Sequence, residues 1–125
     1  MILIDTNIII EIYRSNSYVI ETIEEIGQEK IAVSDITCSE LFFGARSKKE
    51  LQIIEKDLSN LTIIPVDMDI SKLSVELIKK YGLSHKLSVP DALIAATAIV
   101  YKIPLYTLNI KDFIYIRVIK LHLNP

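Results

Sequence analysis

Asp5, Glu40, Asp91 and Asp112 are the residues of this chain whose types and spacing can do chemistry. Asp5 ends the apolar run Met1-Ile2-Leu3-Ile4 and opens Asp5-Thr6-Asn7. Asp91 lies in Ser88-Val89-Pro90-Asp91, ahead of an Ala-rich stretch. Asn109 and Asp112 belong to Thr107-Leu108-Asn109-Ile110-Lys111-Asp112-Phe113. Carboxylates gathered in one place repel: two unit charges 4 Å apart cost about 4 kcal/mol at an effective dielectric near 20. A fold keeps such a cluster when cations compensate it. Magnesium prefers oxygen ligands, often one or two carboxylates with waters and substrate phosphates. Such an ion polarises a phosphoryl oxygen and activates water. The chemistry indicated is hydrolysis of a phosphodiester.

Each acid also has a plain structural use. Asp5 can cap a helix by accepting backbone N–H bonds. Ser88 followed by Asp91 resembles a capping box, and an acid in a first helical turn suits the helix dipole. Asn109 and Asp112 fit ordinary turn chemistry. Glu40 has Ile36 and Phe43 as helical neighbours at i−4 and i+3, which makes it harder to explain as a solvated face residue. The functional reading therefore depends on whether the acids meet.

The elements that must bring them together are legible as alternating patterns. Short apolar runs rich in β-branched residues predict strands at Ile2–Ile4, Ile31–Val33, Thr62–Pro65 and Pro104–Thr107, with a fifth at Arg117–Leu121. Helical patterns follow Asp5 from Ile8 to Tyr13, then cover Ser34–Ala45, Lys48–Leu58, Ile70–Tyr81 with Gly82 as a stop, and Pro90–Tyr101. Strands alternating with helices predict an α/β protein with a central parallel sheet and helices on both faces. Asp5, Glu40 and the Asn109–Asp112 segment each follow a predicted strand, so topology places them at one edge, where ligands bind in open α/β sheets. Asp91 must be brought there by its helix.

Length and composition narrow the function classes. A chain of 125 residues suffices for one domain, residues 1–125, with a single core. The one cysteine, Cys38, excludes an internal disulfide and a cysteine-based zinc site. His85 and His122 show no metal-ligand spacing and read as surface or packing residues. No basic region precedes the first apolar run, and no apolar stretch approaches the roughly 20 residues of a membrane helix. A cytoplasmic protein without membrane association is expected. A net charge of −2 argues against coating nucleic acid by charge alone. It is compatible with an enzyme that holds nucleic acid locally with the help of a metal.

Ile4-Asp5-Thr6-Asn7, Ser39-Glu40-Leu41-Phe42-Phe43-Gly44-Ala45, Pro90-Asp91-Ala92-Leu93-Ile94-Ala95-Ala96 and Thr107–Phe113 together resemble the successive motifs of PIN-domain ribonucleases. Among these the chain is similar to the VapC-type toxins of bacterial and archaeal toxin–antitoxin systems. The match runs from Ile4 to about Leu121, with the motifs in the family's order. The resemblance implies a three-layer α/β/α sandwich around a parallel sheet of four to five strands. It implies an endoribonuclease dependent on Mg²⁺, for which Mn²⁺ substitutes. Asp5 and Asp91 would be the principal metal ligands, with Glu40 completing the site directly or through water. Some relatives carry an acid where this chain has Asn109, and Asp112 is the alternative for that position. Thr107 and Asn109 would orient water or phosphate, while Thr6 and Asn7 fix the loop carrying Asp5.

Partners follow from the same resemblance: an RNA substrate, a small cognate antitoxin whose tail crosses the acidic site, and a second copy in a homodimer. Helices near Ile8–Ile26 and Ile36–Leu58 carry enough apolar residues for that dimer interface. Arg46, Lys48 and Lys49 form the densest basic cluster and are candidate phosphate contacts; Lys79-Lys80 and His85-Lys86 are weaker ones. Tyr13 and Tyr18 can stack a base or simply pack between helices. Two alternatives remain open at this point, a housekeeping PIN nuclease of RNA processing or decay and a catalytically inert PIN-like binding protein.

Overall fold

The computed structural model describes residues 1–123. The elements run β1 (Ile2–Ile4), α1 (Thr6–Tyr13), α2 (Ser17–Ile26), β2 (Ile31–Ser34), α3 (Asp35–Gly44), α4 (Lys48–Leu58), β3 (Thr62–Ile64), α5 (Met68–His85), α6 (Val89–Tyr101) and β4 (Leu105–Tyr106). Short 3-10 turns stand at Gln28–Lys30 and Ile110–Asp112. The strands form one parallel sheet in the order β3-β2-β1-β4. Leu3 pairs with both Ala32 and Leu105, so β1 is central.

The apolar runs are unbroken because the central strands bury residues on both faces. Leu3, Ala32, Ile64 and Leu105 pack with Ile70, Leu77, Ala92 and Ala95 of α5 and α6. Ile4, Ile31, Val33 and Tyr106 pack with Ile8, Val19, Leu41 and Ile54 of α1 to α4. The chain moves one way from β1 to β3, then returns across β1 to β4. Crossovers of one hand then place the helices before and after the reversal on opposite faces. The result is the expected α/β/α sandwich, with four strands. Its order reverses between β1 and β4, the kind of crevice in which α/β sheets bind ligands.

Two expectations fail. Arg117–Leu121 is not a fifth strand among the described residues. It makes one parallel bridge, Leu105 to Leu121, with Leu105 N–H donating to the Lys120 carbonyl and His122 N–H to the Leu105 carbonyl, both at 2.8 Å. The neighbouring β4 is only Leu105–Tyr106 and offers no edge for a longer ladder. Gly82 does not stop α5, which continues to His85 and ends at Lys86 in the left-handed conformation, φ 54°. Burial of Leu77, Tyr81 and Leu87 carries the helix past the glycine. A Cβ there would meet only Ile78 Cγ2, at an ordinary 3.5 Å, so no close approach requires glycine.

Candidate active site

Asp5 leaves β1 with its N–H donating to the Tyr106 carbonyl at 2.9 Å, which fixes it against β4. It caps α1, as its position suggests: Oδ1 accepts from the Thr6 N–H at 2.8 Å. Its Oδ2 accepts from the Thr107 hydroxyl, also at 2.8 Å. Asp5 is 6% exposed. Each carboxylate oxygen accepts about two bonds, so each keeps capacity for a further partner. Burial pushes the Asp5 carboxyl up; the Thr107 and Thr6 bonds oppose this, and the Glu40 and Asp112 charges add to it.

Asp91 arrives from the other layer. α6 feeds β4 through residues 102–104, too short a link to reverse the sheet edge, so it runs antiparallel to β4 and starts at the carboxyl edge. Ser88 caps it, its Oγ accepting from the Asp91 N–H at 3.2 Å. The capping geometry is therefore present, and the same residue also meets the acids. Burial pushes the Asp91 carboxyl up to about 6, followed by the charges of Asp5 and Asp112; the Ser88 bond opposes this, and Glu40 adds a smaller push.

Glu40 comes from α3. Its Oε1 accepts from the Thr6 hydroxyl at 2.8 Å, and that hydroxyl lies 3.1 Å from the Thr37 hydroxyl. Its apolar neighbour Phe43 is 94% exposed, so packing around Glu40 does not explain it. Its charge nevertheless acts on both Asp5 and Asp91. Asp112 acts on both as well, and it is held by the turn in which its N–H donates to the Asn109 carbonyl at 3.0 Å. The acids are thus coupled through space, from the end of β1, the body of α3, the first turn of α6 and the turn after β4.

Thr107 has a full set of bonds. Its hydroxyl donates to Asp5 and accepts from the Asn109 N–H at 3.1 Å and from Asn7 Nδ2 at 3.4 Å. One donor and two lone pairs are then in use, so Thr107 positions Asp5 and has nothing left for water. Asn7 ties the loop after β1 to the loop after β4, since its Oδ1 also accepts from the Leu108 N–H at 3.4 Å. Asn109 is exposed and contributes backbone bonds. Asp112, unlike Asn109, brings a charge that acts on Asp5 and Asp91.

The donor set consists of carboxylate oxygens, which suits a hard divalent cation. Among the described residues no three Asp, Glu, His or Cys side chains converge as a ready-made metal cage. The expected trio of Asp5, Asp91 and Glu40 is therefore gathered by charge and not at ligand spacing. Magnesium needs only one or two carboxylates beside waters and phosphate, and Asp5 and Asp91, both raised chiefly by burial, would be the two to hold it.

Of the basic cluster, Arg46 shares a groove of about 390 Å³ with Glu40 and Tyr13. Its Nε lies 3.8 Å from Glu50 Oε2. Lys48 and Lys49 begin α4 and do not line that groove. Tyr13 donates to Asp57 at 2.7 Å, a bridge between α1 and α4, while Tyr18 is 55% exposed on α2. His122 meets Tyr106 edge-on. Sequence reasoning missed Thr37 behind Thr6 and Tyr115 beside Asp112. No local pattern marks either, because their partners lie on other elements.

A family model described as the PIN domain matches residues 2–117. The chain is 34% identical over 116 residues to Ribonuclease VapC19 of Mycobacterium tuberculosis, covering 90% of this chain and 92% of that protein. It is 32% identical over 120 residues to Ribonuclease VapC of Rickettsia bellii, covering 90% and 87%. A chain of a solved toxin-antitoxin complex from Klebsiella pneumoniae superposes with a TM-score of 0.81 at 34% identity, covering 95% of each.

Proposed function

Because the chain belongs to the PIN-domain family, among the VapC ribonucleases, we propose that it is an Mg²⁺-dependent endoribonuclease, the toxin of a toxin–antitoxin pair. The observation that carries this reading is the convergence of charge on Asp5 and Asp91 from Glu40 and Asp112 at the carboxyl edge of the sheet. Asp5 and Asp91 would hold the ion, with Glu40 and Asp112 adding negative charge beside it. A bound Mg²⁺ or Mn²⁺ polarises a phosphoryl oxygen and makes water more acidic. Thr107 and the Thr6 N–H hold Asp5 with one lone pair on each oxygen directed elsewhere. Thr6 holds Glu40 by Oε1, which leaves Oε2 to accept the proton of the attacking water.

The partners follow. An RNA strand supplies the scissile phosphate. A small antitoxin is supported by the likeness to a solved toxin-antitoxin complex. A basic side chain of that partner would pair with the carboxylates, bidentately if it is an arginine. A homodimer is supported by Ile10, Tyr13, Leu51 and Ile53 on α1 and α4 and by Phe43 on α3, all more than a third exposed. No helix among the described residues is long and apolar enough to cross a membrane, and we place the protein in the cytoplasm.

The test is cleavage of total RNA by wild type and Asp5→Asn, each with Mg²⁺ and with EDTA. Wild type with Mg²⁺ should cleave, and EDTA and the substitution should each abolish cleavage. Equal cleavage by both proteins would remove Asp5 from the site. No cleavage and no metal binding by wild type would leave an inert binding protein.

A further inference from the structure

Three aromatic rings stand beside the acids. The His85 and Tyr115 rings stack, with centroids 4.0 Å apart and planes 12° from parallel. Tyr81 lies 5.8 Å from His85 and 5.1 Å from Tyr115, tilted by 74° and 61°. A ring capping one end of a stack is near one partner and far from the other. Tyr81 is near both, so it lies alongside and caps neither end of the stack. Tyr81 is buried, Tyr115 partly so and His85 exposed. The arrangement is an anchored platform with a face toward solvent.

Connectivity joins this platform to the acids. His85 ends α5, and residues 86–88 lead into α6, whose third residue is Asp91. Tyr115 follows the turn that carries Asp112. Burial first, and then the Asp91 and Asp112 charges, push the Tyr115 phenol up.

Cations share a groove with Tyr81. A groove of about 440 Å³ is lined by Lys79, Lys80, Tyr81 and Arg117 over Leu77 and Ile116. Lys80 Nζ lies 5.4 Å from the centroid of the Tyr81 ring. Lys79 is engaged by Glu76 at 3.6 Å, but among the described residues neither Lys80 nor Arg117 pairs with a carboxylate. The rings therefore adjoin the acids through Tyr115 and the cations through Tyr81. Rings accept bases of any sequence, and unpaired lysine and arginine accept phosphates.

We infer that His85 and Tyr115 form a stacking platform for a nucleobase of single-stranded RNA next to the scissile phosphate, with Lys80 and Arg117 holding the phosphates beyond it. This deepens the ribonuclease reading and rests on it, since it names the path by which the strand leaves the carboxylates. His85 and Tyr115 are positioning residues for the substrate.

The test uses full-length protein and a mixed-sequence single-stranded RNA decamer. Affinity is read by fluorescence anisotropy in EDTA at low salt; KM and kcat are read with Mg²⁺. The variants are His85→Ala, His85→Phe and the double Lys80→Ala, Arg117→Ala, with unfolding curves to confirm that each folds. His85→Ala should bind about tenfold more weakly, the loss of one base stack, with a raised KM and a kcat close to wild type. His85→Phe should restore affinity, because stacking needs a ring and not a charge. The double variant should flatten the slope of log affinity against log salt by about 1.4, two phosphate contacts on a single strand. Equal affinity of wild type and His85→Ala overturns the platform, as does a Phe variant as weak as Ala or a wild type that binds no RNA. Loss of antitoxin binding in His85→Ala with RNA affinity unchanged would assign the surface to the protein partner and also overturn it. A wild type that binds the decamer and never cleaves RNA removes the ribonuclease reading, and the same affinities still decide the platform.

Discussion

Asp91→Asn should make the metal-free protein more stable at pH 7.5, although Asp91 sits in the first turn of α6 and belongs to the proposed site. The Asp91 carboxyl is raised from 3.8 to about 6 by burial and then by the Asp5 and Asp112 charges. At about 1.36 kcal/mol per pH unit, that displacement corresponds to a penalty of about 3 kcal/mol on the ionised form. Solvent screening of a half-buried carboxylate reduces it to about 1–2 kcal/mol. A carboxyl that holds its proton more tightly folded than unfolded carries no penalty below pH 3.8, a growing one up to pH 6 and the full one above. Asparagine removes it but also removes a favourable charge at the helix N-terminus, worth about 0.3–1 kcal/mol. The net gain at pH 7.5 is about 1 kcal/mol, or about 3–5 °C in melting temperature for a chain of this size. Circular dichroism melts in EDTA at pH 4.5 and 7.5 read it. The variant should melt higher at pH 7.5, and the advantage should shrink at pH 4.5. A variant less stable by the same amount at both pH values would refute the claim that Asp91 is ionised against its neighbours.

Other perturbations test the supports. Thr107→Val removes the donor to Asp5 and an acceptor of the Asn109 N–H; it should cost about 1–3 kcal/mol in urea unfolding, and an unchanged midpoint would discount that hub. Leu3→Ala opens a cavity at a fully buried position of the central strand, and should cost about 2–5 kcal/mol in the same assay. Phe43→Ser removes a side chain that is 94% exposed; it should leave the unfolding free energy of the monomer within about 0.5 kcal/mol of wild type while weakening self-association in sedimentation equilibrium, and an unchanged association constant would place the dimer interface elsewhere.

The parts of the fold that were legible are those set by local pattern. Ile2–Ile4 and Ile31–Val33 announce themselves because both faces are buried, and Lys48–Leu58 matches α4 end to end. Where tertiary contacts overrule local preference, the sequence misled. Gly82 reads as a stop, yet Tyr81 on one side and His85 on the other both pack against Tyr115 and keep α5 going. Arg117–Leu121 has strand composition but a two-residue neighbour. The site was legible as a set of acids at junctions, because an α/β topology delivers strand ends to one edge. What each does there was not. Thr107 read as a water-positioning residue until its hydroxyl proved committed to Asp5, Asn7 and Asn109. Asn109 and Asp112 share one turn, and local pattern does not show that only the Asp112 charge acts on Asp5 and Asp91. The ring stack gave no signal, since His85 and Tyr115 are thirty residues apart along the chain and meet only in space.

The central claim is that Asp5 and Asp91 hold a divalent ion together. Calorimetric titration of Mn²⁺ into metal-free wild type, Asp5→Asn and Asp91→Asn measures this without reference to any RNA. Wild type should give a binding isotherm that is lost in both variants. Binding of the same affinity in all three proteins, or none in wild type, would contradict it.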